Sequence, residues 1–329
     1  MIRRFESYGF AADAPAAARA DLARILRDTG RHIPEVRHSA TGANRSATPI
    51  DLVWEHSYEQ ADDYARYMCH PFHVCVLDRY LLPESPECIT EPRRGLALGL
   101  FGYETDDADF VAPAGVRRIV AFRADPDATA EAVADFVTAL RHEPAEGALI
   151  SVAAANTMGL VWYPDGWTHV WEQVFPDEPT MLAALPAEAA RLSDGPVVDS
   201  IDLWYGIEPG PPPGSSPDAA TAEIPAGPVL LVDTVTVPGS RVGEYLDGFT
   251  RLYLAGARRR GLELAACWQT PSGHGEDVTV TTALDVGSWA TWEQARNAAV
   301  ADPDVTEWIR LRRSLMTGGR RTFVTSSDL

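Results

Sequence analysis

Ile2-Arg3-Arg4-Phe5 occurs a second time in this chain, as Val116-Arg117-Arg118-Ile119. Each copy runs into a short acidic, alanine-rich turn and then into a segment with the apolar spacing of an amphipathic helix, Ala16–Leu26 or Ala130–Leu140. Because the same run is followed by the same kind of helix, the sequence predicts a chain built from repeated modules.

A second repeated pattern lies further along. Residues 54–59 read Trp-Glu-His-Ser-Tyr-Glu, and we align them with Trp-Thr-His-Val-Trp-Glu at residues 167–172. Both alternate as strands do, so every second side chain shares one face. The side chains placed together are Trp54, His56 and Tyr58 in one copy and Trp167, His169 and Trp171 in the other. Each copy is predicted to end in a further strand, at Leu96–Tyr103 and Val197–Ile207.

A third module follows a segment rich in proline and glycine. Its predicted elements, in order, are strand Val229–Val237, helix Arg241–Arg260, strands Leu264–Gln269 and Val278–Leu284, helix Ser288–Val300 and strand Arg321–Thr325. Each module therefore reads β-α-β-β-α-β. The predicted fold class is α+β, with three tandem ferredoxin-like modules forming dimeric α+β barrels. The predicted boundaries are 1–110, 111–208, a linker at 209–227, and 228–329.

The free faces of these sheets need cover, because aromatic side chains such as Trp54 and Trp167 are costly on an open face. We expect the first two modules to pair face to face, with those side chains inside. The third module is then left without a partner. We therefore expect a homodimer formed through the third module.

Composition narrows the classes of function. The net charge of −19 argues against nucleic acid or an anionic membrane as a partner. The four cysteines form no CxxC pair, there is no apolar run of membrane-spanning length, and the N-terminus lacks the apolar core of a leader. We expect a cytoplasmic protein with reduced thiols and a small-molecule substrate.

The chemistry is concentrated in Tyr67-Met68-Cys69-His70-Pro71-Phe72-His73. Pro71 disfavours helix at His70 and suits the first turn of a new helix. His73 then lies at the positive end of that helix, which favours a neutral imidazole able to act as a base. Tyr67 lies at the end of the preceding helix and is expected to stay protonated. A donor beside a base can polarise a carbonyl and remove an α-proton, which leads to cyclisation or elimination.

This motif resembles the stress-responsive A/B barrel (Dabb) family over residues 1–105, and the third module resembles NIPSNAP-type barrels. One plant member of the Dabb family is a polyketide cyclase. The resemblance implies that Tyr67 and His73 are catalytic. Our leading hypothesis is a cofactor-independent enzyme that acts on a small, largely apolar carbonyl compound. It also places His56 at a histidine of the plant enzyme, whereas Arg4 replaces another. The predicted substrate-binding residues are His56, Trp54, Tyr58, Arg4, His169 and Trp167.

Other interpretations stay open. His70 is expected to lock the corner by bonding a backbone carbonyl, and His56 and His169 could be satisfied core histidines. The third module keeps the proline but has carboxylates, with Asp302 as a helix cap before Pro303. Zinc bound at the Cys69–Cys75 stretch is a weak alternative. Two rival functions are a non-catalytic ligand-binding barrel and, by fold analogy, a haem protein.

Overall fold

The computed structural model describes residues 1–90, 100–105, 114–157, 166–217, 228–271, 275–300 and 302–325. The chain forms two compact units, each assembled from two stretches of sequence. The first comprises residues 1–64 and 91–220, and the second comprises residues 65–90 and 221–329. Within the described ranges, no helix combines the length and the apolar character needed to cross a bilayer.

The first module carries an antiparallel sheet in the order β4-β1-β3-β2. Its elements are β1 (Ile2–Tyr8), α1 (Ala16–Arg27), α2 (Thr29–His32), β2 (His38–Ala43), β3 (Leu52–Tyr58), α3 (Ala61–Cys69), α4 (Asp78–Leu81) and β4 (Leu100–Glu104). A π-helical turn, His73–Leu77, leads into α4. Residues 96–99 of the predicted last strand lie outside the described residues.

The second module repeats this arrangement. Its elements are β5 (Val116–Ala124), α5 (Ala130–His142), β6 (Ile150–Ala155), β7 (His169–Phe175), α6 (Glu178–Asp194) and β8 (Val197–Gly206), in the sheet order β6-β7-β5-β8. Both of its helices begin at a polar cap. Thr129 accepts from the N–H of Ala132, and Asp177 accepts from the N–H of Thr180, which satisfies donors that the first helical turn leaves free.

The third module has the same element order. After β9 (Glu208–Pro209), its elements are β10 (Val229–Pro238), α7 (Val242–Gly248), α8 (Ala255–Arg259), β11 (Glu263–Gln269), β12 (Asp277–Asp285), α9 (Trp289–Val300), α10 (Pro303–Leu315) and β13 (Gly318–Thr325). Its antiparallel sheet runs β11-β12-β10-β13. Asp302 caps α10 by accepting from the N–H of Asp304, as predicted. The three ferredoxin-like modules of the predicted α+β fold are thus confirmed.

Inside the first compact unit the sheets of the first and second modules face each other. Both contribute to one buried core, whose members include Phe5, Val53, Ile119 and Val174. The sheet edges also meet, through a bridge between Asn44 and Tyr205 and a hydrogen bond from the N–H of Thr157 to the carbonyl of Gly102. These described contacts join two separate sheets at their edges rather than making one continuous barrel.

Strand register corrects the predicted alignment of the two modules. His56 of β3 lies opposite Arg4, and Gln173 of β7 lies opposite Arg118. Because Arg4 and Arg118 belong to the same repeat, His56 corresponds to Gln173 and not to His169. The alignment of residues 54–59 with 167–172 is therefore wrong.

The two tryptophans that truly correspond are Trp54 and Trp171, and they face helices rather than the opposing sheet. The indole Nε1 of Trp54 donates to Ser39 Oγ at 2.9 Å, and Ser39 Oγ donates to the carbonyl of Leu26 in α1 at 2.8 Å. The second module repeats this chain of bonds through Trp171, Ser151 and Leu140. The expectation that Trp54, His56 and Tyr58 lie between the sheets is wrong, because Glu55 and Val53 occupy that face instead.

The proline-rich segment after β8 is attached to the first module. Glu208–Pro209 pairs with β2, and the N–H groups of Gly210 and Gly214 donate to the carbonyls of Ser39 and Gly30. A Cβ at Gly210 would lie 2.1 Å from the carbonyl oxygen of Arg27, so only glycine fits there. This part of the predicted linker is an anchored edge, while residues 218–227 lie outside the described residues.

Candidate functional site

The helix break predicted at Pro71 is present. Helix α3 ends at Cys69, His70 is not helical, and helix resumes at Pro71. His70 Nδ1 accepts from the N–H of Phe72 at 3.1 Å. His70 therefore stabilises the corner as a hydrogen-bond acceptor. The reason is local: Pro71 has no N–H, so Phe72 supplies the first donor of the new helix. The predicted bond from His70 to a backbone carbonyl stays a prediction.

The structure brings Tyr67 and His73 together in the second compact unit. Their ring centroids lie 4.3 Å apart at an interplanar angle of 54°. His73 Nδ1 lies 3.1 Å from the carbonyl oxygen of Met68. Because a carbonyl oxygen only accepts, Nδ1 carries a hydrogen, and Nε2 is the nitrogen that can take a proton.

An acidic side chain lies beside that nitrogen. Asp78 Oδ1 is 3.9 Å from His73 Nε2, and the other oxygen of Asp78 is bonded to Arg296 of α9. Tyr67 and His73 are 1% and 5% exposed, so the pair is enclosed by protein. The adjacent Val74 belongs to the core of the second compact unit.

The environments of the nearby thiols, Cys69 and Cys75, do not favour the nucleophilic thiolate form. Burial raises the pKa of Cys69 to about 11, and the Glu293 carboxylate adds to the effect. Burial raises the pKa of Cys75 to about 11 as well, with a contribution from the Asp78 charge. Both thiols are therefore protonated near neutral pH. Across the described part of the chain, no three His, Cys, Asp or Glu side chains are grouped as metal ligands would be.

A second polar cluster lies on the helix-facing side of the first module's sheet. Glu6 Oε1 lies 3.0 Å from Arg4 Nη2 and 3.2 Å from His56 Nε2. His56 Nδ1 lies 2.8 Å from the hydroxyl of Tyr58, and the hydroxyl of Tyr8 donates to the other oxygen of Glu6. Of the predicted binding residues, Arg4 and His56 thus contact the Glu6 carboxylate directly, and Tyr58 is linked to it through His56.

Glu6 holds this cluster together electrostatically. Burial alone would raise the pKa of Glu6, but the Arg4 guanidinium, with His56 and Tyr8, outweighs it and lowers the pKa to about 2. Sequence reasoning missed Glu6 and Tyr8. The signal was available, because alternation along β1 places both on the face that carries Arg4.

The second module shows what the fold alone requires at these positions. Strand register puts apolar or neutral residues where the first module has its polar cluster: Val120 for Glu6, Phe122 for Tyr8, Gln173 for His56 and Phe175 for Tyr58. The shapes are kept, and the ionisable groups, apart from the arginine, are lost. The polar cluster is therefore not a requirement of the module's architecture.

The two predicted binding residues of the second module, His169 and Trp167, lie in environments different from that of His56. His169 stacks on Phe122 with ring centroids 5.1 Å apart, and its Nδ1 lies 2.8 Å from Thr168 Oγ1. Burial lowers the pKa of His169, which favours the neutral ring. The guanidinium carbon of Arg123 lies over Trp167, 5.4 Å from the centroid of the indole ring. His169 takes the place of Leu52 in the first module, not that of His56.

A cavity of about 290 Å³ lies between α6 and β8 of the second module. Its lining consists of Arg118, Ala189, Leu192, Ser193, Val197, Val198, Asp199, Ser200 and Asp202. The buried guanidinium of Arg118 forms a two-pronged bond with Asp202, with the Nε and Nη2 atoms 3.0 and 2.5 Å from its oxygens. Apart from Arg118, the lining residues lie within residues 189–202, a stretch without a recognised motif, so the sequence did not single out this cavity.

No protein-family model matches the chain, and no curated protein matches it. Solved structures do. An uncharacterized NIPSNAP domain protein from Burkholderia xenovorans is 20% identical, with 31% of this chain and 96% of that chain covered and a TM-score of 0.25. A dimeric ferredoxin-like protein of unknown function from Thermobifida fusca is 18% identical, covering 31% and 99%, with a TM-score of 0.25.

SnoaB, a cofactor-independent oxygenase from Streptomyces nogalater, is 16% identical, with 32% of this chain and 97% of that chain covered and a TM-score of 0.24. NIPSNAP-type proteins are therefore among the structural neighbours, while the stress-responsive A/B barrel family is not confirmed. At these identities and scores, the likenesses assign no activity to the chain.

Proposed function

We propose that the chain is a cofactor-independent acid/base enzyme, of cyclase or lyase type, acting on a small and largely apolar carbonyl compound. One observation carries the proposal. The imidazole of His73 contacts the ring of Tyr67 while its Nδ1 hydrogen is held by the carbonyl of Met68. This arrangement fixes one tautomer and leaves Nε2 as the basic atom.

The chemistry follows from these two side chains. The phenol of Tyr67 donates a hydrogen bond to the substrate carbonyl, and His73 Nε2 takes the α-proton. The electron pair of the C–H bond becomes an enolate, which attacks a second carbonyl or expels a leaving group. The imidazolium then gives its proton to the alkoxide formed in the cyclisation or, in an elimination, to the departing group. Asp78, 3.9 Å from Nε2, stabilises the imidazolium while it lasts.

Burial adds a condition to this proposal. Because Tyr67 and His73 are 1% and 5% exposed, a substrate reaches them only when neighbouring side chains move aside. The π-helical turn His73–Leu77 lies at this place, and such turns are frequent where helices carry functional groups.

Proton abstraction can be tested before the natural substrate is known. The probe is 2-heptanone in D₂O, whose α-hydrogens exchange slowly without a catalyst and can be followed by NMR. We expect catalysed exchange with the native protein, loss of it in His73→Gln and a reduction in Tyr67→Phe. His142→Gln, at an exposed position of α5, is the matched control. Exchange that is unchanged in a folded His73→Gln variant contradicts the proposal.

In the first compact unit we propose Arg4, His56 and Tyr58 as ligand contacts. The support is the comparison with the second module, where the same positions are built without a histidine or a tyrosine. His56→Gln installs the residue that the second module has at Gln173. We expect this variant to fold normally and to bind 2-heptanone more weakly, as measured by NMR titration. Unaltered binding would remove His56 from the proposal.

Ligand binding without turnover is a second candidate function, and the cavity beside Arg118 favours it. The probe is 8-anilinonaphthalene-1-sulfonate, an apolar dye with a sulfonate group. In this case dye fluorescence should fall in Leu192→Trp, which fills the cavity, and stay the same in His73→Gln. Dye fluorescence that is unchanged in Leu192→Trp would contradict this second function.

We also propose that the protein's partner is a second copy of the chain, bound through the third module. The support is the sheet face of that module that its helices do not cover, defined here as the outer face. Trp268 and Val324 on this face are 59% and 40% exposed. Light scattering should give twice the 35.8 kDa of one chain.

A further inference from the structure

The pairing of the first and second modules depends on four charged side chains buried between their sheets. Arg3 Nη2 lies 2.8 Å from Glu172 Oε1, and Arg117 Nε lies 2.5 Å from Glu55 Oε2. All four side chains are completely buried. Arg117 also contacts Glu172 of its own module, and Arg3 Nη2 lies 3.7 Å from Glu55 Oε2 of its own module. The ion pairs Arg3–Glu172 and Arg117–Glu55 cross from sheet to sheet.

Two tyrosines complete the same pattern. Tyr103 of the first module donates to Glu172 at 2.6 Å, and Tyr205 of the second module donates to Glu55 at 2.8 Å. In strand register, Tyr103 lies opposite Arg3, and Tyr205 lies opposite Arg117. Each module therefore supplies one Arg-Glu-Tyr set, and the two sets are related as by a two-fold axis.

A sheet face that carries this set can be covered only by a face that completes it. Covering it with an apolar face would bury the arginine and glutamate of one module without the cross-sheet ion pairs and the tyrosine hydrogen bond, and the cost of taking both charges out of water exceeds what a single Arg–Glu pair contributes. The set therefore restricts which sheets can pair, much as a single buried polar residue restricts the pairing of helices in a coiled coil.

The outer face of the third module has no such set. Positions in the same mutual register as Arg3, Glu55 and Tyr103 are Val232, Thr281 and Thr322. The other outward positions on the two central strands are Leu230, Thr234, Thr236, Thr279 and Ala283. Among the described strand residues, the charged side chains of this face lie toward its margin: Arg320 on the edge strand β13, Glu263 on the edge strand β11, and Asp277 and Asp285 at the two ends of β12.

We propose that this difference is a pairing code: the Arg-Glu-Tyr sets commit the first two modules to each other, and the uncharged outer face of the third module accepts only the same face of a second copy. This inference rests on the proposed homodimer and adds the residues that decide it. The occupant is a second copy because an identical face is also uncharged at its centre, whereas either module that carries the set would bury charges that lack their cross-sheet partners.

The pairing code can be tested by introducing the corresponding arginine and glutamate into the third module of the full chain. Val232→Arg or Thr281→Glu alone should bury an unpaired charge and weaken the dimer by at least a hundredfold in Kd. Ala290→Arg, at an exposed position of α9, adds the same charge away from the outer face and should leave the dimer unchanged. Circular dichroism of each variant reports folding, and sedimentation velocity reports mass.

Mixing supplies the decisive measurement. An equimolar mixture of Val232→Arg and Thr281→Glu chains should form heterodimers, because the new arginine of one copy can meet the new glutamate of the other. The double variant Val232→Arg/Thr281→Glu should dimerise by itself for the same reason.

The possible failures are distinguishable. A native protein that stays monomeric contradicts the homodimer. A native dimer that neither single charge weakens shows that the outer face is not the interface. Single variants that dissociate, with no recovery on mixing or in the double variant, keep the interface and overturn the code.

Discussion

Arg3 of the first module and Glu172 of the second lie 2.8 Å apart with no exposed surface on either side chain. Arg3→Met leaves buried Glu172 with only Arg117 and the Tyr103 hydroxyl as partners, so we expect this change to lower the free energy of unfolding by about 3 kcal/mol. Arg3→Met combined with Glu172→Met should recover a large part of this loss. Urea unfolding of the native chain, both single variants and the double variant gives the coupling energy, and strictly additive losses would show that the two side chains act independently.

We expect Glu6 to make the free energy of unfolding depend on pH in the acidic range. Its pKa is lowered from 4.5 to about 2, so its charged form stabilises the fold. This stabilisation is complete above pH 4.5 and is lost as pH falls through 2, because protonated Glu6 no longer holds Arg4 and His56. The shift corresponds to roughly 3 kcal/mol. Glu6→Gln should therefore be less stable than the native chain at pH 7 and nearly equal to it near pH 2.

The control for this pH dependence is Glu59→Gln, which changes an exposed carboxylate paired with Arg37. Urea unfolding between pH 2 and 7 should show little difference between Glu59→Gln and the native chain. If Glu6→Gln and the native chain differ by the same amount at every pH, the charge of Glu6 is not what stabilises the cluster.

His70 should behave as a helix cap. Its Nδ1 accepts from the N–H of Phe72, so His70→Ala leaves that donor free and should cost about 1 kcal/mol of stability. His70→Asn supplies another acceptor and should restore most of the loss. Both variants should retain proton exchange of 2-heptanone, whereas loss of exchange in both would give His70 a role beyond the corner.

Thiol reactivity should report the environment of Cys69. The rise of its pKa from 9.0 to about 11 lowers the thiolate fraction near neutral pH roughly a hundredfold, and alkylation by iodoacetamide should slow to match. Glu293→Gln removes the adjacent negative charge and should speed alkylation of Cys69 while leaving Cys75 unchanged. Mass spectrometry of timed digests measures both rates, and equal acceleration at the two thiols would indicate loosening of the fold instead.

Much of the fold could be predicted because it depends on local patterns. The order of strands and helices follows from apolar periodicity, and the corner at His70 follows from the missing N–H of Pro71. Helix α10 was missed beyond its cap at Asp302, because the prediction stopped at Val300. The candidate pair Tyr67 and His73 lies within one turn of that corner, which is why the sequence could place the two rings together.

The surroundings of the charged side chains were harder to predict from the sequence. Arg3 and Arg4 are adjacent in sequence, yet Arg3 lies between the sheets and Arg4 lies under the helices. Alternation along the strand shows that the Arg3 and Arg4 side chains lie on opposite faces of the sheet. It does not show which face packs against the other sheet and which packs against the helices. The same ambiguity led to the misplaced match of Trp54 with Trp167, since Trp167 and Trp171 of the second copy both fit the same alternation.

The sequence by itself determined three β-α-β-β-α-β modules and the helix break that orients His73, because hydrophobic period, proline and caps act within a few residues. Only the tertiary structure decided that the aromatic residues of β3 face helices and that Arg3 meets Glu172. It also decided that residues 65–90 fold in the second compact unit rather than with the rest of the first module. These outcomes depend on strand register and on burial between distant segments, where a one-residue shift exchanges the two faces of a strand.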